Sequence, residues 1–269
     1  MPMNAGKTRR MGRIVGHGGR TVILPLDIVV PVGRFEGAAD TGALVDMGCA
    51  SGVDAVLLRW GEAKRYVDRI APETGLIVRV SGSTGVNDGS RWPVLLNSVE
   101  ASLAIGADAV CIDVEIGGAH EEASLRDLAE VCEEAERLGT VVLAEIHVAV
   151  GPEQQAGRVE NLAWGARTVQ ELGADLVKLP SPGPAEAMAQ ICGLAQIPVV
   201  MAGGDQRDPL ELLRAVDEAL RGGAAGTAIG RNVIGHRSQS AMQQAIIDLV
   251  RAHQGLDEVL TRLLSSVPA

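Results

Sequence analysis

Gly173-Ala174-Asp175-Leu176-Val177-Lys178-Leu179-Pro180 decides how the rest of the chain is read. Glycine is the expected residue just past the end of a helix. An apolar run of strand length follows it at once, so a helix passes directly into a strand. The same join recurs at Gly52-Val53-Asp54, Gly106-Ala107-Asp108 and Gly223-Ala224-Ala225. Apolar, β-branched runs recur at Thr21–Asp27, Val53–Arg59, Leu76–Ser81, Ala107–Ile116, Thr140–Val148, Ala174–Pro180, Pro198–Gly204 and Gly226–Arg231, which makes eight candidate strands. Segments of helical period lie between them, for instance Leu125, Leu128, Ala129, Val131, Cys132, Ala135 and Leu138. Eight strand–helix units in about 250 residues predict an α/β chain folded as a single-domain (βα)8, or TIM, barrel. A doubly wound open sheet is the alternative, and closure accommodates eight units better.

Composition sets the outer bounds. Forty-six per cent hydrophobic residues with 33 glycines supply a large core and many tight turns. Aromatics are only 2% (Phe35, Tyr66, Trp60, Trp92, Trp164), so aliphatic residues must pack the core. That scarcity argues against single-stranded nucleic acid, whose bases need stacking platforms, and a net charge of −10 argues against binding a phosphate backbone. Four dispersed cysteines (Cys49, Cys111, Cys132, Cys192) read as small buried hydrophobes in a reducing compartment. No apolar run is long enough to span a membrane. Residues 1–13 carry Lys7, Arg9, Arg10 and Arg13 with no apolar h-region, and are expected to form a basic arm ahead of a barrel over 14–269. A cytoplasmic protein is expected.

Lys178 is one of three lysines among 24 basic side chains. Lys7 and Lys64 lie in polar, arginine-rich stretches and are expected to be solvated. A lysine on a buried strand must shed its water, which favours the neutral amine. A positioned neutral amine is the nucleophile that makes a Schiff base with a carbonyl compound. A snorkelling side chain or a structural ion pair is the alternative. The neighbouring strand ends favour function, because barrel chemistry gathers at the C-terminal ends of strands. These ends carry Asp27, Arg59, Arg79, Asp113 with Glu115, Glu145 with His147, and Lys178. Side chains alternate along a strand, so Asp113 and Glu115 share a face, as do Glu145 and His147. Nearby carboxylates would hold Lys178 as a cation and oppose desolvation.

The seventh and eighth strands run into Ala202-Gly203-Gly204 and Ile229-Gly230-Arg231-Asn232. Glycines there free backbone N–H groups to face an anion, a following helix N-terminus would add its positive end, and Arg231 offers a cationic fork. This is the habitual phosphate position of such barrels.

From about residue 10 to residue 252 the chain resembles the archaeal-type class I fructose-bisphosphate aldolase family. That family includes the aminodideoxyheptulosonate synthases and autoinducer-phosphate thiolases, with deoxyribose-phosphate aldolase a more distant relative. The resemblance is carried by Gly19-Arg20-Thr21-Val22-Ile23-Leu24-Pro25-Leu26-Asp27, Leu76-Ile77-Val78-Arg79-Val80-Ser81-Gly82-Ser83-Thr84, Asn97-Ser98-Val99-Glu100, Ala174-Asp175-Leu176-Val177-Lys178 and Ala224-Ala225-Gly226-Thr227-Ala228-Ile229-Gly230-Arg231-Asn232. It implies that Lys178 is the Schiff-base lysine and Asp27 the acid of the first strand, with Gly203, Gly204, Gly230 and Arg231 as phosphate ligands. Three departures stand out. The family's Asp-His-Gly is here Asp27-Ile28-Val29-Val30. Its strand-five tyrosine is replaced by His147, and its strand-four neutral or histidine pair by Asp113 and Glu115.

The expectation is therefore a class I aldolase or transaldolase. Lys178, Asp27 and His147 would be catalytic, and Arg59, Asp113, Glu115, Glu145 and the glycine–arginine loops would bind substrate. The partner is a phosphorylated small molecule. No cofactor and no metal are expected, since the five histidines (His17, His120, His147, His236, His253) show no HxxH or HxxxH spacing. A homo-oligomer is expected. The rivals are a non-imine isomerase or cyclase using Asp27 and Asp113, and a non-catalytic sugar-phosphate sensor.

Overall fold

A computed structural model of the chain describes residues 4–16, 18–84, 92–149, 158–251 and 254–266. His17 and His253 lie outside the described residues. Parallel strands β1 (Thr21–Pro25), β2 (Ala55–Arg59), β3 (Gly75–Arg79), β6 (Ala109–Ile116), β7 (Val141–Val148), β8 (Leu176–Pro180), β9 (Val199–Ala202) and β10 (Gly226–Ala228) close into a barrel. The order around it is β1-β10-β9-β8-β7-β6-β3-β2. All eight expected strands are present. The sequence reading did not separate a two-stranded antiparallel element, β4 (Ser81–Gly82) with β5 (Val94–Leu95), which branches from the top of β3.

Two apolar layers result from the pleat. Outward-facing residues such as Val56, Val78, Val110 and Val177 join the helices in the larger core. Inward-facing ones (Ile23, Leu57, Ile77, Cys111, Leu143, Leu176, Val200 and others) fill the lumen. One pleat further up, the same inward parity brings Arg59, Arg79, Asp113, Glu145 and Lys178 to the upper rim. Register sets them side by side: Arg59 pairs with Arg79, Asp113 with Glu145, and Glu145 with Lys178.

The lower end of the barrel shows what the repeated glycine joins do. Gly52, Gly106, Gly173 and Gly223 all have positive φ, between 78° and 106°, which glycine adopts without steric penalty. In three of the joins the next-but-one residue is an aspartate whose carboxylate accepts a backbone N–H at the start of the preceding strand. Asp54 receives Val22, Asp108 receives Leu76 and Asp175 receives Val142, at 2.7, 3.1 and 2.8 Å. A cation closes each one: Arg251 on Asp54, Arg13 on Asp108 and Lys7 on Asp175.

Two of these cations correct the expectation for the N-terminus. Residues Ala5–Ile14 are a helix, capped by the Asn4 side chain on the Lys7 N–H. Its last residue, Ile14, is fully buried against the lumen residues and plugs the barrel floor. Lys7, expected in solvent, is 3% exposed and pairs with Glu136 at 2.9 Å and Asp175 at 3.1 Å. Docking of the helix carries the lysine into the floor, where two carboxylates offset its desolvation. Among the described residues no helix is long and apolar enough to cross a membrane. Cys111 and Cys132 are buried free thiols, and Cys49 and Cys192 are half-buried ones.

Candidate active site

At the top of the lumen Arg79 is 5% exposed and holds three carboxylates at once. Its Nε donates to Asp27 Oδ2 at 2.7 Å, its Nη1 to Asp113 Oδ1 at 2.8 Å, and its Nη2 to Glu145 Oε2. Only a planar guanidinium can serve three acceptors in one plane. Burial alone would lower the pKa of Arg79, but Asp113, Glu145 and Asp27 raise it well above the ordinary value, so the charge is permanent. The sequence reading noted Arg79 as a strand end without giving it a role. Its signal was a charge inside the apolar run Leu76-Ile77-Val78-Arg79-Val80, the same signal that marked Lys178.

Lys178 is 6% exposed, and its Nζ lies 2.8 Å from Glu145 Oε2, which it shares with Arg79. Burial pushes the Glu145 carboxyl upward, yet Lys178 and Arg79 outweigh it and hold the pKa at about 2. Asp113 behaves alike: burial opposes ionisation, and Arg79, His147 and Ser81 bring the pKa far below the carboxylate range. Ser81 Oγ donates to Asp113 Oδ2 at 2.6 Å and accepts the Asp113 backbone N–H at 2.9 Å.

His147 Nε2 lies 2.9 Å from Asp113 Oδ1. An ionised carboxylate can only accept, so Nε2 carries hydrogen and Nδ1 is the atom left for other work. Burial lowers the imidazole pKa, but the Asp113 bond and the charge of Glu145 more than reverse this, and the net shift is upward. The ring is half exposed at the mouth, where Trp92 meets it edge-on with centroids 5.6 Å apart and stacks on His120 at 6.2 Å. This aromatic wall was not anticipated. In a chain with 2% aromatics, a tryptophan in a loop was its only sign.

Above these groups opens a cavity of about 680 Å³. Its lining includes Asp27, Arg59, Arg79, Asp113, Glu145, His147, Lys178, Gly203, Gly204, Gly230 and Arg231, so all but one of the expected site residues meet there. Glu115 is the exception. Two residues beyond Asp113 on the same face, it has passed the rim, and its carboxylate turns back to accept the His120 backbone N–H. Asp27 uses Oδ2 on Arg79, while Oδ1 has no protein partner among the described residues.

The loops after β9 and β10 are tied together by Asn232, 4% exposed. Its Nδ2 donates to the carbonyls of Gly203 at 3.2 Å and Asp205 at 3.1 Å, and its Oδ1 accepts the Arg207 N–H at 2.9 Å. Gly204 has φ +69°, and a β-carbon on Gly230 would collide with the Pro25 carbonyl, so both glycines are required by the backbone path. Arg231 pairs with the exposed Asp205. The helix after β10 spans only Arg231–Ile234, so backbone donors and Arg231 would dominate over the helix-end charge expected from sequence.

Asp113, Glu145 and His147 place donor atoms within 4.8 Å of one another, a spacing that a metal ion could use. Arg79 and Lys178 already hold Asp113 Oδ1 and Glu145 Oε2, and their charges lie against the position such an ion would take. A divalent ion would have to displace two cations, so the donor set does not fit one.

A closed (βα)8 barrel with a buried lysine at a strand's C-terminal end, facing a polar cavity, defines a lyase with the fold of the Schiff-base aldolases. The chain belongs to the DeoC/LacD family of aldolases, whose model matches residues 21–236. It is 33% identical over 259 residues to a 2-amino-3,7-dideoxy-D-threo-hept-6-ulosonate synthase of Halobacterium salinarum, covering 96% of this chain and 97% of the relative. It is 35% identical over 247 residues to a 2-amino-4,5-dihydroxy-6-oxo-7-(phosphonooxy)heptanoate synthase of Streptomyces griseus, covering 91% and 90%. A solved Schiff-base-forming fructose-1,6-bisphosphate aldolase superposes with a TM-score of 0.82 at 28% identity, over 90% of this chain and 99% of that one.

Proposed function

We propose that this enzyme forms or cleaves a carbon–carbon bond of a phosphorylated, keto-sugar-like substrate through an imine on Lys178, within a specialised biosynthetic pathway. The observation that carries the reading is the placement of Lys178. It is the lysine on a lumen strand, and it faces an open cavity ringed by ionised carboxylates. As the free amine, Nζ attacks the ketone carbon, and loss of water with uptake of one proton, supplied by protonated His147, gives the iminium. That cation withdraws the electron pair of the adjacent carbon–carbon bond during cleavage, leaving an enamine, and the reverse sequence makes the bond.

Proton traffic is assigned by elimination among the groups beside Lys178. Glu145 and Asp113 are held ionised by their cations, so neither keeps a proton near neutrality. His147, with its raised pKa and open Nδ1, exchanges protons in the working range. Asp27 Oδ1 would accept a substrate hydroxyl. The Asn232-braced loops with Gly203, Gly204, Gly230 and Arg231 would hold the phosphate. The two synthases quoted above are named for seven-carbon amino keto acids, which supports a condensing direction and a carboxylated product.

The test is borohydride reduction with a panel of keto-phosphates, followed by intact mass. A covalent adduct with at least one of them is expected. Turnover of a substrate with no trappable adduct would leave the non-imine isomerase or cyclase as the better reading.

A further inference from the structure

Behind the loop that follows β1 lies a second cavity of about 630 Å³. Asp27 and Arg59 line both this cavity and the first, so the two are adjacent at those residues. Val29, Val30 and Ala39 give it an aliphatic wall, and Asp40, Glu62 and Arg65 line it as well.

Arg59 differs from the other two cations of the site. Arg79 and Lys178 pair directly with Asp27, Asp113 and Glu145. Arg59 donates only to carbonyl oxygens, those of Asp27 at 3.4 Å and Ser81 at 2.9 Å, and among the described residues it forms no ion pair with a carboxylate. Burial draws its pKa below the ordinary arginine value. The head group nevertheless has a prepared seat, because a β-carbon on Gly82 would collide with Nη1. Asp27 and Asp113 act on this charge without reaching ion-pair distance, so a half-buried guanidinium held by backbone carbonyls keeps donors to spare for an oxyanion.

Topology says which molecule supplies that anion. In the ring of eight strands β2 lies four places from β8, so Arg59 faces Lys178 across the mouth. The β9 and β10 loops adjoin β8 on one side. A ketone on Lys178 with its phosphate on those loops directs the rest of the reacting system toward Arg59.

We propose that the chamber behind the β1 loop receives the end of the second reactant remote from the new bond, and that Arg59 binds an oxyanion there, a carboxylate or a phosphate. This rests on the imine reading above.

Three ketoses separate the two ends. Fructose 1-phosphate has one anion, whereas fructose 1,6-bisphosphate and its analogue ending in a carboxylate have a second at the far end. The half-saturating concentration for borohydride trapping should be about ten- to a hundred-fold lower for at least one two-anion ketose, the range set by one charge-assisted contact. The better of the two identifies the anion. Arg59→Gln and the chamber-filling Ala39→Phe should each abolish the difference, and trapping of dihydroxyacetone phosphate, too short to reach the chamber, serves as reference. Equal concentrations in the wild type, or a difference that survives Arg59→Gln, would overturn the proposal. If no ketone is trapped, the imine reading fails instead. Phosphorus NMR of inorganic phosphate then judges the chamber alone: loss of a site in Arg59→Gln supports it, and unchanged binding overturns it.

Discussion

The two ends of this barrel use the same residue types in opposite ways. At the floor each aspartate has its own strand to cap and its own cation: Asp54 with Arg251, Asp108 with Arg13, Asp175 with Lys7. At the mouth three carboxylates crowd around Arg79, and Lys178 shares the Glu145 oxygen that Arg79 also holds. Lys7 and Lys178 are both buried, at 3% and 6% exposure. Burial therefore does not distinguish a structural lysine from a reactive one. What distinguishes them is the space beside the amine: Lys7 packs into the closed floor, whereas Lys178 lines a cavity large enough for a substrate. Barrels divide stability and chemistry between their ends in this manner.

The sharpest way to break the comparison is to exchange the effects of the two lysines. Lys178→Arg should remove turnover altogether and leave the thermal midpoint near that of the wild type, because arginine keeps the positive charge but cannot form an imine. Measurable turnover in that variant would end the division. His147→Phe comes next, with an expected loss of about 10²- to 10⁴-fold in rate. The sign of its pH effect follows from the raised pKa. A base must be neutral, so the wild-type rate should fall as pH drops through a limb lying above the ordinary histidine value of about 6.5. The variant should lose that limb, and a limb unchanged in His147→Phe would move the shuttle elsewhere.

At the floor, Lys7→Met should act on stability alone. Leaving Asp175 without its cation should remove about 3 kcal/mol, the low end for a broken buried pair since the Val142 N–H remains. Denaturant unfolding measures this, and kcat at a permissive temperature should hold. A fall in kcat with unchanged stability would contradict the assignment of the floor. The smallest effect is expected from Arg231→Ala, about 1.5 to 3 kcal/mol in affinity for phosphorylated ligands and little for unphosphorylated ones. Equal losses for both would make Arg231 a partner of Asp205 and nothing more.

Much of the mouth was legible in the sequence, because strand parity and apolar runs mark charges that have no solvent to face. Lys178, Asp113 and Glu145 were found that way. The limits are equally physical. Parity put Glu115 with Asp113, but a side chain past the barrel rim is free to turn to local backbone, here that of His120. Arg79 gave the same sequence signal as Lys178, and its central position depends on closure of the ring, which no local pattern encodes. Lys7 looked solvated because its helix docks through Ile14, and docking is a tertiary event. The Asn232 brace joins loops that end different strands. The glycine joins were read as helix ends, which they are, while the carboxylate caps beside them became visible only with the strands in register.

With only three lysines in the chain, the central claim reduces to which one bears the substrate. Peptide mapping after borohydride reduction with a trapped keto-phosphate should place the added mass on Lys178 alone, and none in Lys178→Arg. An adduct on Lys7 or Lys64, or one that persists in Lys178→Arg, would contradict it.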